Sequence, residues 1–387
     1  MMKRGLFALS LGTFGLGITE YVMMSIVPDL AKGLDVSIVQ AGHLISAYAL
    51  GVCVGAPLFA VFLRNASMKR GLLLLMVAYI VGNLAFAVSP SYISALASRF
   101  IAGLPHGAFF GTGALVASRI VPGEKATSAV AMMVMGMTVA NLAGIPIGSM
   151  IGNLLNWRYI FIFTTVWGVL TFIMLHKWVP DIGSLPKSSI KSQFRFMKSI
   201  LPWLLVATTM LCNGGIFCMY SYVSPLMSEA GMGASMMPLL MVLVGAGMCL
   251  GNYYGGKMGD RYTPSRTVQY IAVTMVAALL FIFIAASNEF LTAGGVVLAA
   301  TCLFAVSPPM QLLLIKYSPG GELMGGAMVQ MAFNFGNALG AYFGGLPIDA
   351  GYNAGWSALV GAAFALVGTG FILYFRARVK SKSRMAV

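Results

Sequence analysis

Apolar residues run through this chain in long blocks, and polar residues are confined to short breaks between them. Twelve blocks stand out, at residues 5–27, 37–62, 70–89, 92–117, 126–150, 156–178, 199–223, 235–256, 267–286, 290–315, 322–346 and 353–375. At 1.5 Å per residue each is long enough to cross about 30 Å of hydrocarbon as a helix. Lipid offers no partners to backbone groups, so a spanning segment must bond internally, which a helix does. The pattern predicts an all-α polytopic membrane protein with twelve transmembrane helices. The first block is too long for a cleaved signal and lacks a small-residue cleavage site, so it reads as a span. The longest polar segment, "PDIGSLPKSSIKSQFRFMKS" at 180–199, falls between blocks six and seven. It divides the chain into a six-helix bundle at 1–179, a cytoplasmic linker at 180–198, and a second six-helix bundle with a basic tail at 199–387.

Charge orients the spans. With the amino terminus in the cytoplasm, every one of the 24 Lys and Arg residues lies inside except Lys32 and Arg158 outside and Arg99 within the membrane. Both termini are therefore expected in the cytoplasm of a bacterial inner-membrane protein. The same bias accounts for the formal net charge of +14 without nucleic-acid binding. Composition agrees: 59% hydrophobic and 9% charged residues exclude an ordinary soluble domain. The five cysteines lie in apolar runs with no CxxC or Cys/His cluster, which argues against disulfide and metal roles.

Shifting the sequence by 196 residues overlays Gly51, Cys53 and Gly55 on Gly247, Cys249 and Gly251, and Asn141, Gly144 and Gly148 on Asn337, Gly340 and Gly344. Agreement at one offset in two places indicates an internal duplication of the kind that builds two-bundle transporters. Gly136, Ala140, Gly144 and Gly148 recur every fourth residue, a small-residue face that lets helices approach closely. Pro146 between them weakens and bends the helix, which packing alone does not explain.

These residues carry a resemblance. "GMTVANLAGIPIG" from Gly136 resembles the span-five antiporter motif of the major facilitator superfamily, and "GGKMGDRYTPSR" from Gly255 resembles its loop motif after span eight. "SRFIAGLPHGAFFG" and "NWRYIF" are similar to its span-four arginine motif and the start of span six, and "GTFGLG" with "AGHLISAYALGVCVGAP" narrows the likeness to the drug:proton antiporter group, nearest its sugar and drug exporters. The resemblance covers essentially the whole chain. It implies a proton-driven efflux carrier of two six-helix bundles working by alternating access, with Gly136, Asn141, Gly144, Pro146 and Gly148 as the antiporter motif. It also implies that Gly256, Asp260, Arg261 and Arg266 form a cytoplasmic gate. The chain departs from the family pattern after span two, where Arg64 stands opposite Asp260 at the 196 offset, so the first copy carries positive charge only. Both loops serving merely as basic anchors is the alternative.

Of the ten acidic residues, nine fall in connections, which leaves Glu20 inside the membrane. A carboxylate there costs about 2.5–3.5 kcal/mol, so it reads as functional. Glu20, Arg99 and His43 each lie six or seven residues from the outer end of their spans, roughly 10 Å deep. Arg99, Gly103, His106 and Phe110 share one face of span four. Burial disfavours a carboxylate's charge and a nearby cation favours it, so the protonation of Glu20 can change in a cycle. Glu20, Arg99, His43 and His106 are thus the candidates for proton handling, placed in the first bundle because their equivalents 196 residues on include no charge. A static Glu20–Arg99 ion pair is the alternative.

The second bundle offers uncharged amides and aromatics. Asn213, Phe217 and Tyr220 in span seven, Gln311 behind the Pro308-Pro309 break, and Gln330 and Asn334 in span eleven are candidate substrate contacts, with Tyr48 from span two. Helix-to-helix bonding is the competing role. The expected function is export of a sugar, drug or nucleoside-like solute in exchange for protons; a facilitator or symporter of the same fold remains open. No nucleophile-base pair, metal cluster or phosphate loop appears, so an enzyme is disfavoured. The expected partners are substrate, protons and the bilayer, with no nucleic acid, no metal, no cofactor and a monomeric carrier.

Overall fold

The computed structural model describes residues 2–36, 38–63, 65–144, 156–183, 191 and 194–385, and among them helices occur without a strand. Among the described residues each of the twelve expected spans meets a helix. They are α1 (Met2–Ser25), α2 (Ile38–Phe62), α3 (Met68–Ala87), α4 (Tyr92–Arg119), α5 (Ala126–Val139), α6 (Trp157–Trp178), α7 (Ile200–Tyr220), α8 (Met237–Tyr262), α9 (Pro264–Ala285), α10 (Glu289–Ala305, resumed over Ser307–Lys316), α11 (Glu322–Asp349) and α12 (Gly355–Met385). The interruption of α10 falls just before Pro308 and Pro309, which open the resumed helix.

Helix starts follow from residues that break the apolar blocks. The Ser67 hydroxyl accepts from the Arg70 N–H at the start of α3, and Ser91 forms a reciprocal capping box with Ser94 at the start of α4. Asn156, Ser199 and Asn288 cap α6, α7 and α10 in the same way. Each satisfies a first-turn N–H that lipid cannot, a contribution of about 1 kcal/mol.

Two compact units result, Met1–Phe196 with Ser318–Met331, and Met197–Tyr317 with Ala332–Val387, so the division runs through α11. Within each unit glycines set the helix spacing. In unit 1 a Cβ on Gly55 of α2 would stand 1.9 Å from the Leu104 carbonyl of α4, and one on Gly136 of α5 would stand 1.8 Å from the Ser10 carbonyl of α1. In unit 2 the corresponding distances are 2.0 Å from Gly251 of α8 to the Thr301 carbonyl of α10, and 2.3 Å from Gly340 of α11 to the Gly214 carbonyl of α7. Gly55 and Gly251 overlay at the 196 offset, so the duplicated glycines do the same packing in both halves.

Outward faces carry the remaining apolar residues. Leu74, Val77, Val81 and Leu84 of α3, and Ile162, Val166, Val169 and Ile173 of α6, are exposed at three- and four-residue intervals. That stripe faces hydrocarbon, which is why the chain is apolar inside and outside.

Substituting Gly340 with Ala forces α11 off α7 and is expected to cost about 1–3 kcal/mol, read as a lowered midpoint of thermal unfolding in detergent. Gly370→Ala on α12, where an added Cβ meets nothing within 4 Å, is expected to leave that midpoint unchanged or raise it slightly.

Candidate functional site

The site is built on α4. Arg99 and His106 lie two turns apart on it, and both side chains are fully buried. A buried guanidinium must find acceptors within the protein. Arg99 Nη1 donates to the Thr19 carbonyl of α1 at 3.1 Å, and Nε donates to the Leu44 carbonyl of α2 at 3.3 Å. Its Cζ lies 4.4 Å from the Tyr48 ring centroid, 5.5 Å from Phe86 of α3 and 5.9 Å from Phe161 of α6. The cation is therefore held by two backbone carbonyls and three aromatic faces, contributed by four other helices.

Glu20 of α1 is 9% exposed, and its Oε2 lies 3.8 Å from His106 Nε2. The other ring nitrogen, Nδ1, is 2.8 Å from the Tyr48 hydroxyl, and the ring stacks on Phe110 with centroids 5.1 Å apart. Tyr48 thus touches both residues of α4, with its ring under Arg99 and its hydroxyl on His106. Among the described residues Glu20 Oε2 and Arg99 Nη2 make no hydrogen bond, so each keeps capacity for a proton or a ligand group. The carboxylate is in ion-pair range of His106, while Arg99 grips α1 one residue earlier through the backbone.

His43 stands apart from this cluster. It is exposed on α2, with Nδ1 3.2 Å from the Tyr92 hydroxyl at the start of α4. Depth along a span sets it level with Glu20 and Arg99, and its side chain is exposed where theirs are buried.

Of the antiporter-motif residues, Gly136 packs on α1, Asn141 and Gly144 lie in a π-helical turn (Ala140–Gly144) that continues α5, and Gly144 is buried against Ile18. Pro146 and Gly148 lie outside the described residues. A π turn widens the helix locally and marks functional positions often. At the end of α8 Gly256 is buried and Asp260 half-buried, the Arg261 guanidinium lies 5.2 Å from the Tyr262 ring, and Arg266 in the first turn of α9 is exposed. Thr263 turns the chain there with φ of 83°, a left-handed conformation unusual for a β-branched residue. Arg64, the counterpart of Asp260, lies outside the described residues.

The amide and aromatic residues divide between the units. Gln330 is buried in the part of α11 that belongs to unit 1 and is turned to His106. In unit 2 Asn213 is fully buried with neither amide atom hydrogen-bonded, Phe217 and Tyr220 meet edge to face at 5.8 Å, Gln311 is buried, and Asn334 is half-buried.

Uncharged residues that the sequence reading passed over surround the cluster. Thr19, Tyr79, Asn83 and Thr164 are all buried and linked by hydrogen bonds. Their signal was present, since Tyr79 and Asn83 share one face of an otherwise apolar span. A search for titratable groups alone does not notice it.

A profile described as Major Facilitator Superfamily matches residues 9–326. The chain belongs to the major facilitator superfamily. AraJ of Escherichia coli (strain K12) is 41% identical over 375 residues, 97% of this chain and 95% of that protein. The inner membrane transport protein YdhP of the same strain is 36% identical over 383 residues, 99% and 98% of the two chains. The chloramphenicol resistance protein of Streptomyces lividans is 27% identical over 344 residues, 88% of each. Among solved structures, the Escherichia coli fucose:proton symporter FucP shares the fold, with a TM-score of 0.78, 16% identity and coverage of 96% and 98%. The protein is a multi-pass inner-membrane transporter of small solutes, and not an enzyme.

Arg99→Lys keeps the charge but replaces a planar fork with a point donor that cannot hold two carbonyls in the same geometry. The expected result is a lowered thermal midpoint and transport reduced about tenfold or more, the equivalent of one lost charged hydrogen bond. His43→Ala, at the exposed surface, is expected to leave both near wild type. Thermal-shift fluorimetry and vesicle transport check the pair.

Proposed function

We propose that this transporter exports a small solute, such as a sugar, a drug or a nucleoside-like molecule, in exchange for protons, with both termini in the cytoplasm. The observation that carries the reading is the Glu20–His106 contact of 3.8 Å inside a buried cluster on α1, α2 and α4. An intramembrane carboxylate beside a histidine and an arginine is a group whose charge state can be set by a proton from either side. The drug-resistance relative and the antiporter-like motif around Gly136, Asn141 and Gly144 support export by exchange.

Protonation of Glu20 from the outer side removes the charge that faces His106 and Arg99 and favours return of the carrier. Deprotonation on the cytoplasmic side accompanies substrate binding. A proton can shift the conformational equilibrium only by binding one state better than the other, and loss of this contact supplies such a difference. In this reading the bundles at 1–179 and 199–387 move about the linker at 180–198, and the carrier works as a monomer. Gly256, Asp260, Arg261 and Arg266 close the cytoplasmic side. Asn213, Phe217, Tyr220, Gln311, Gln330 and Asn334 contact substrate with uncharged groups.

A thermal-stabilisation screen of the purified protein against sugars, nucleosides, cationic drugs and chloramphenicol identifies a substrate by mass action. With that substrate, pH-gradient-driven uptake into everted vesicles is expected to vanish in Glu20→Gln while ligand stabilisation persists. Full gradient-driven uptake by Glu20→Gln would remove Glu20 as the proton site.

A further inference from the structure

Three carbonyl groups on one face of α1, those of Leu11, Gly15 and Thr19, follow one another at single-turn intervals, and each accepts a side-chain donor from a different helix. Trp167 Nε1 of α6 donates to Leu11 at 2.9 Å, the Tyr79 hydroxyl of α3 donates to Gly15 at 2.9 Å, and Arg99 Nη1 of α4 donates to Thr19 at 3.1 Å. A helical carbonyl already accepts one N–H and keeps a second lone pair. In a bundle interior no water competes for it, so these donors tie α1 to three neighbours at once. Gly15 admits two of them, since a Cβ there would stand 3.0 Å from both the Tyr79 oxygen and Trp167 Cδ1.

Thr19 is held a second time, through its hydroxyl, which lies 3.1 Å from Asn83 Oδ1 and 2.9 Å from the Tyr79 oxygen. Asn83 Oδ1 also accepts from the Thr164 hydroxyl of α6 at 3.4 Å, and Asn83 Nδ2 donates to the Tyr79 carbonyl at 2.9 Å. A slide of α1 by one residue, or a rotation by one position, breaks the three carbonyl bonds together, because their acceptors lie on one stripe. Glu20 follows Thr19 directly.

We propose that Tyr79 and Asn83 are positioning residues that fix the axial register of α1 and so hold the Glu20 carboxylate against His106, an inference that rests on Glu20 being the proton-binding group. The titratable groups facing Glu20 are Arg99 and His106 of α4 and Tyr48 of α2, while Tyr79 of α3 meets the residue before it, Thr19. α5 carries none, and α6 carries Arg158, Tyr159, His176 and Lys177 only in its first and last turns. Tyr79→Phe deletes a donor without changing the ring, and Asn83→Leu deletes the acceptor that Thr19 and Thr164 share.

Infrared difference spectroscopy of the full chain in lipid nanodiscs tests this. The Glu20 carboxyl band is identified by its loss in Glu20→Gln and titrated between about pH 4 and about pH 10. Tyr79→Phe and Asn83→Leu are each expected to move the Glu20 midpoint by about half a pH unit or more. Thr208→Val is expected to leave it in place, because that buried unit 2 hydroxyl bonds only its own helix at Leu204. Midpoints unchanged in both variants would overturn the proposal, as would a Glu20 band that does not titrate in the wild type. Thr19→Val provides a third variant if Asn83→Leu does not fold. Should the midpoints move while Glu20→Gln still transports on a pH gradient, the exchange mechanism falls and the positioning role stands.

Discussion

A guanidinium sealed from water has to find its partners in the protein, and the arrangement of unit 1 turns on how Arg99 finds them. It bonds the carbonyls of Thr19 and Leu44 and lies against the rings of Tyr48, Phe86 and Phe161. Five helices meet at one side chain. Because carbonyls and aromatic faces carry no net charge, they hold the cation without neutralising it, and its field remains available to the carboxylate nearby. Glu20, the group proposed above to take the proton, stands in that field.

The two units use one packing scheme for different chemistry. Glycines at matching positions bring α2 onto α4 and α8 onto α10, and Gly144 meets α1 as its counterpart Gly340 meets α7. The positions 196 residues beyond Glu20, Arg99 and His106 are Ile216, Gly295 and Cys302. Duplication has kept the close helix approach, while Glu20, Arg99 and His106 have no acidic, basic or imidazole counterpart at those positions. The second copy offers buried amides and aromatics, of which Asn213, with two unbonded amide atoms, has the most hydrogen-bonding capacity to spare. The exchange proposed above assigns the proton to the first half and solute contact to uncharged groups of the second.

Much of this was legible in one dimension. Apolar block lengths marked twelve helices, and Ser67, Ser91, Asn156, Ser199 and Asn288 begin five of them as caps. Depth along each span and the face of α4 pointed to Glu20, Arg99 and His106 as one group. Rotation of one helix against another was not legible. Position along α2 sets the height of His43 and says nothing of the direction in which it points, and the structure turns it to the surface. For the same reason the sequence suggested a carboxylate partner for Arg99, whereas the guanidinium takes backbone carbonyls, which have no sequence signature. Tyr79, Asn83 and Thr164 escaped notice because uncharged polar residues are common in spans and acquire meaning only when their neighbours are known.

Glu20 is the group proposed to bind the proton within this cluster. Proton uptake by the purified carrier in nanodiscs, followed with a pH indicator as the solution is stepped from alkaline to acidic pH, measures it without knowledge of the substrate. Wild type is expected to take up about one proton per chain more than Glu20→Gln. Equal uptake by the two proteins across the whole range would contradict the account.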